Sequence, residues 1–187
     1  PPQGGRGRGA DRFGWLKGTK SWMLRMPFVH RWDVMDISIQ KLMVDRKGKE
    51  GLICKDNIRA DIEVAFHVRV SPEEENIREV AEAVGADRAS DNEILRELFE
   101  AKFSDVMIAT AKQVEFADLY TQRVEFREKI KSSIGTDLNG YELKDVVIDY
   151  LEQTSIEHLD PNNVLDVEGI KKIKQITSVE QEITNER

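Results

Sequence analysis

YELKDVVIDYLEQTSIEHLDPNNVLDVEGIKKI, residues 141–173, decides the fold. Val146, Ile148 and Tyr150 alternate with Asp145, Val147, Asp149 and Leu151, the period of two expected of a strand lying mostly inside a sheet. Asp160-Pro161-Asn162-Asn163 then makes a turn: Pro161 presets φ, and the asparagines tolerate a left-handed backbone or cap a following helix. Asp166 and Glu168 put negative charge in the first helical turn, where the helix dipole favours it. The segment reads as strand, loop, turn and helix.

Working outward, Ile58, Ala60, Ile62, Val64, Phe66, Val68 and Val70 alternate with Arg59, Asp61, Glu63, Ala65, His67 and Arg69 without a slip, so one face enters a core and the other is polar. Residues 22–39 suggest two strands broken at Pro27, and LMVDRKGKEGLICK suggests a hairpin around Lys47-Gly48. Ser71-Pro72-Glu73-Glu74 predicts a helix with Ser71 as N-cap, ending near Gly85. A second helix opens near Ser90 or Asp91 with Leu95, Leu98, Phe99, Phe103, Val106, Met107, Thr110 and Val114 at helical spacing. A third runs from Phe116 to Ile134 with Leu119, Phe126 and Ile130 inward, and Gly135 and Asn139-Gly140 close it. Strands, then helices, then a returning strand predict an α+β domain with a twisted, mainly antiparallel sheet packed against helices, followed by the start of a long C-terminal helix.

The 141–173 segment, with RADIEVAFHVRVSPEEENI, ELFEAKFSDVMIATAKQV and LYTQRVEFREKI upstream in the same order, resembles the SPFH (band 7, prohibitin-homology) family, in particular the bacterial, YqiK-type members of its flotillin branch. The resemblance runs from about Met26 to the C-terminus. The Gly-, Pro- and Arg-rich start reads as a flexible basic arm over 1–20, and the resemblance implies an SPFH domain over 21–163 and a coiled-coil helix beginning at 164–187. It also implies a non-enzymatic scaffold, a large homo-oligomeric ring or cage that organises lipids and proteins in a membrane microdomain. An NfeD-like membrane protein is an implied partner. The implied location is the cytoplasmic side of a bacterial inner membrane. An alternative within the superfamily is a regulatory wall around a membrane protease, as in prohibitin-like and HflK/HflC-like members; the flotillin-like junction from Asp160 to Ile170 argues against it.

Charge is unevenly spread. The chain of 187 residues has a formal charge of −7, yet residues 1–32 hold seven basic side chains against one acidic, and the remaining 155 residues sum to −13. An end of that kind meets an anionic surface, either phospholipid or nucleic acid. All three tryptophans, Trp15, Trp22 and Trp32, lie in it. Aromatics interleaved with cations suit the headgroup layer, which makes Trp15, Leu16, Lys17, Lys20 and Trp22 the membrane-proximal candidates. Trp22 and Trp32 fit a domain core equally well. The Arg6-Gly7-Arg8-Gly9 arm admits a nucleic-acid module as a further alternative, and the net −13 elsewhere opposes it.

No run approaches the ~20 apolar residues that span a bilayer, and no initiator Met or signal-type apolar region is present. Relatives of this type carry a membrane segment before the domain and a long helical region after it, so the chain is expected to be part of a longer protein. The single Cys54 excludes an intramolecular disulfide, and Leu52-Ile53-Cys54 favours a small buried residue over an acylation site. His30, His67 and His158 have no ligand partners at metal spacing. Glu63 and His67 share a strand side but sit ~13 Å apart. Neither a catalytic set nor a cofactor or metal set emerges. The remaining candidate is an oligomerisation seam, Ile170, Ile173, Ile176, Val179 and Ile183, flanked by Lys171, Lys172, Lys174, Glu180 and Glu182.

Overall fold

The computed structural model describes residues 33–135 and 138–185. Met35 onward forms one compact unit, which holds every helix and strand among the described residues. Its centre is β3 (Arg59–Val70), whose alternation holds as read: Ile62, Val64, Phe66 and Val68 are wholly buried on one face. β1 (Gln40–Arg46) runs antiparallel along one side of β3, from Gln40 opposite Val68 to Arg46 opposite Ile62. β4 (Tyr141–Gln153) runs antiparallel along the other.

The hairpin expected at Lys47-Gly48 is absent. There the chain makes a 3-10 turn over Gly48–Glu50 and rejoins the same side of β3 as β2 (Leu52–Ile53), with Leu52 opposite Ala60. Gly48 takes a left-handed φ of 58°, and Asp61 Oδ1 accepts its N–H at 2.9 Å. That carboxylate also accepts the Thr154 hydroxyl, so a buried threonine and an acid on β3 hold the excursion in place. Reversal comes one step later: Asn57 N–H donates to Cys54 C=O (3.0 Å) with Asn57 at φ 62°, a tight turn into β3. Nor does a strand occupy 33–39. The Ser38 amide donates to Asp36 Oδ1 (2.9 Å), a side-chain turn that competes with sheet pairing.

On β4 the single alternation read from sequence is interrupted twice. Lys144 and Asp149 have no opposite residue on β3, and each extra residue reverses the phase of the strand beyond it. Tyr141 and Val146 are therefore buried, but after the second bulge Leu151 turns inward and Tyr150 outward, the reverse of the alternation expected from Val146 and Ile148.

Helices cover the Phe66 face. α1 (Glu74–Ala83) starts later than expected: Glu73 is its N-cap, and the Ser71 amide is engaged by Gly140 C=O at 2.9 Å. Gly140 is obligatory, with φ 83° and a position where a Cβ would come within 2.7 Å of Val80. α2 (Asn92–Ala111) is capped by Asp91, which accepts from Glu93 N–H (2.9 Å). Leu95, Phe99, Phe103 and Met107 line its buried face, and Phe103 stacks on Phe66 at 4.3 Å between ring centroids. The third expected helix is two, α3 (Phe116–Thr121) and α4 (Arg123–Ile134), broken where Gln122 leaves helical geometry; Leu119, Phe126 and Ile130 still point inward. Cys54 is buried in the core. The last element is α5 (Val164–Asn185).

Candidate assembly surface at the exit helix

α5 begins as the sequence suggests. Asn163 N–H donates to Asp160 C=O (3.0 Å) to close the turn, and Asn163 Oδ1 accepts from Leu165 N–H (3.0 Å) as N-cap. Asp166, a partner of the helix dipole on sequence grounds, has a larger part. It is buried, and its Oδ1 accepts from both Nη2 (2.7 Å) and Nε (3.2 Å) of Arg59, which is buried too. Its Oδ2 accepts the Asp160 amide at 3.1 Å. The remaining donor arm of Arg59 reaches the carbonyls of Lys49 (2.7 Å) and Gly51 (3.1 Å). A buried charge pair is tolerated when each partner is hydrogen-bonded throughout, and this one is.

Three further contacts lie along the same turns. Asn57 Nδ2 donates to Glu168 at 2.6 Å, Lys172 Nζ lies 3.8 Å from Asp56, and Gly169 passes so close that a Cβ there would sit 2.3 Å from the Asn57 carbonyl. The β2–β3 turn and the first turns of α5 thus form one packed body. Cys54 opens that turn, and burial followed by the charge of Asp56 pushes its thiol up to about 12. The thiol stays neutral and unreactive at ordinary pH.

Past Ile173 the environment changes. Ile173 is buried and Ile170 half-buried, whereas every side chain described from Lys174 onward is exposed, Ile176 and Val179 to about half their area. Helix geometry explains why the five-residue seam divides. Each step of three residues falls about 60° short of a full turn, so Val179 faces roughly opposite Ile170. The face left open runs through Leu165, Ile176 and Val179. Ile170 and Ile173 lie with the docked residues Asp166 and Gly169.

The sheet face opposite the helices carries charge. Lys41 pairs with Asp149 (3.2 Å), Lys47 with Glu63 (3.0 Å) and Asp45 (3.4 Å), and Glu142 with Lys144 (2.8 Å) and Arg69. Exposed pairs of this kind contribute little stability singly. The hydrogen bond from Lys47 to Glu63 raises the lysine's pKa, and that from Tyr150 to Glu152 raises the tyrosine's. An open cleft of about 450 Å³ lies between β1 and α2 beside Lys41, Met43, Glu93 and Glu97. Among the described residues, no three His, Cys, Asp or Glu side chains are placed to hold a metal ion, and no helix is long and apolar enough to cross a membrane. Trp15, Leu16, Lys17, Lys20 and Trp22 lie outside the described residues.

An antiparallel sheet with helices on one face and a docked helix leaving its end is the architecture of an SPFH domain. The model of the SPFH domain / Band 7 family matches residues 5–187, and the chain belongs to that family, as a bacterial flotillin-like member. It is 39% identical over 163 residues to the flotillin family inner membrane protein YqiK of Escherichia coli (strain K12), across 86% of this chain and 29% of that protein. To the flotillin family inner membrane protein sll1021 of Synechocystis sp. it is 23% identical over 143 residues, across 74% of this chain and 21% of that one. The chain spans less than a third of the length of either relative.

Two features are invisible to local pattern. Strand parity puts Arg59 on the polar face, and the helix dipole alone is enough to account for Asp166. The available signal was an arginine at the first position of a strand otherwise apolar on both sides of it, Ile58 and Ala60.

Proposed function

We propose that this chain is the domain and exit-helix portion of a membrane-associated, non-enzymatic scaffold, whose copies assemble side by side into rings or cages that organise a membrane microdomain. The observation that carries the reading is α5: its first turns are locked to the domain, and its distal half presents Ile176 and Val179 to solvent on a helix one to two residues wide in apolar content. A narrow stripe suits a neighbouring helix, and weak contacts repeated round a closed ring yield avidity without strong pairwise affinity. Membership in the flotillin branch supports membrane attachment, since both relatives are named inner membrane proteins. In this reading the partners are other copies, membrane lipid and an NfeD-like membrane protein, with the domain on the cytoplasmic side.

The test is particle mass and shape, by mass photometry and negative-stain imaging, on full-length protein extracted gently from membranes. Closed particles of many subunits are expected. A uniform monomer or dimer would sink the scaffold reading.

A further inference from the structure

We infer that Arg59 and Asp166 are positioning residues: their buried pair is a rigid joint that sets the direction in which α5 leaves the domain. Three observations converge on the same few residues. First, the Arg59 guanidinium ties together three segments distant in sequence, namely α5 through Asp166, the 3-10 excursion through the Lys49 and Gly51 carbonyls, and β3 through its own backbone. Its planar fork makes these bonds in fixed directions, which a flexible ammonium would not. Second, the Asp166 carboxylate holds the approach to the helix as well as the helix itself, by accepting the Asp160 amide at the preceding turn. Third, backbone meets backbone at Gly169, so that α5 rests directly on the Asn57 carbonyl with no side chain between to yield.

A second, outer layer of contacts, Asn57 to Glu168 and Lys172 to Asp56, opposes rotation about the helix axis. The consequence is mechanical. From Gly169 to Asn185 the helix extends about 24 Å, so ten degrees of play at the joint would move its tip by about 4 Å, close to the 5.4 Å pitch of one turn. Presenting Ile176 and Val179 at a defined place therefore requires stiffness at Asp166. The joint lies within one chain, so it stands or falls independently of the scaffold reading.

The experiment measures the helix direction directly, in the full chain diluted with an excess of unlabelled chain. Spin labels are placed at Ser132→Cys and Gln181→Cys, both exposed, in a Cys54→Ala background; a second pair, Ser132→Cys and Glu79→Cys on α1, reports the domain alone. Double electron–electron resonance is expected to show one narrow distance for the helix pair. Arg59→Met or Asp166→Asn should broaden or shift it, and Arg59→Lys should do so less, with native circular dichroism. The pair at 132 and 79 should broaden less than the helix pair, since the joint acts chiefly on α5. A broad helix distance in the parent chain would overturn the joint, as would an unchanged one in the variants or equal broadening of both pairs. Should the charge variants not fold, Gly169→Ala reads the same distance with the pair intact, and no change there would also overturn it.

Discussion

The two halves of α5 are one continuous helix in two environments. Over its first turns, Asp166, Gly169 and Ile173 are buried, and a charge pair, a carbonyl contact and two polar ties hold the helix to the domain. Over the second half, Ile176 and Val179 face solvent. Both halves have similar isoleucine and valine spacing, so apolar periodicity alone does not distinguish a face that docks in its own domain from one that awaits another chain. The difference lies in what stands opposite. Arg59 and the Asn57 carbonyl meet the first half, and none of the described residues covers the second.

Substitutions can break this contrast in graded steps. Asp166→Ala leaves the Arg59 charge buried and unpaired, and thermal or denaturant unfolding should show a loss of about 3–5 kcal/mol. The double change Arg59→Met with Asp166→Leu removes both charges and should recover most of that loss, because apolar replacement of a whole buried pair is often near neutral. If the double variant is as unstable as the single one, the hydrogen bonds to the Lys49 and Gly51 carbonyls, not charge burial, dominate.

Gly169→Ala is expected to cost about 1–3 kcal/mol through overpacking against Asn57. At an uncrowded helical site the same change would gain about 1 kcal/mol, so a fall in stability isolates the backbone contact. The thiol of Cys54 sharpens the comparison from the side of the turn. Held neutral by burial, it should react with a thiol reagent at pH 8 only when the turn opens, and Asp166→Ala should speed that reaction by about tenfold for every 1.4 kcal/mol lost in local opening. The smallest effect on stability is expected in the distal half. Ile176→Asp with Val179→Asp should change unfolding free energy by less than about 0.5 kcal/mol, while sedimentation or mass photometry should show self-association abolished. Assembly that survives this double change would place the seam elsewhere.

Much of the fold was legible. The strict alternation of 58–70, a helix start at Ser90 or Asp91, the Phe99/Phe103/Met107 stripe and the Asp160 turn are all local patterns that tertiary packing preserved. The misreadings occur where two local rules competed. Ser71-Pro72 has the composition of a helix start, but the Ser71 amide is used by Gly140 from a turn near the start of β4. Lys47-Gly48 has the composition of a hairpin, but Asp61 captures the Gly48 amide and returns the chain to the same side of β3. The bulges at Lys144 and Asp149 leave no mark in composition, since each only shifts phase, and partners on β3 reveal them.

By itself, then, the sequence determined the fold class, the family and the existence of a polar exit helix with an apolar stripe. The fold class and the helix follow from periods of two and 3.6 residues and from caps within one turn, and the family from resemblance over several segments in the same order. The tertiary structure alone decided which part of that stripe belongs to the domain. Arg59 and Asp166 are 107 residues apart in the chain, and a buried pair that far apart is specified by the meeting of two surfaces, which no local pattern encodes.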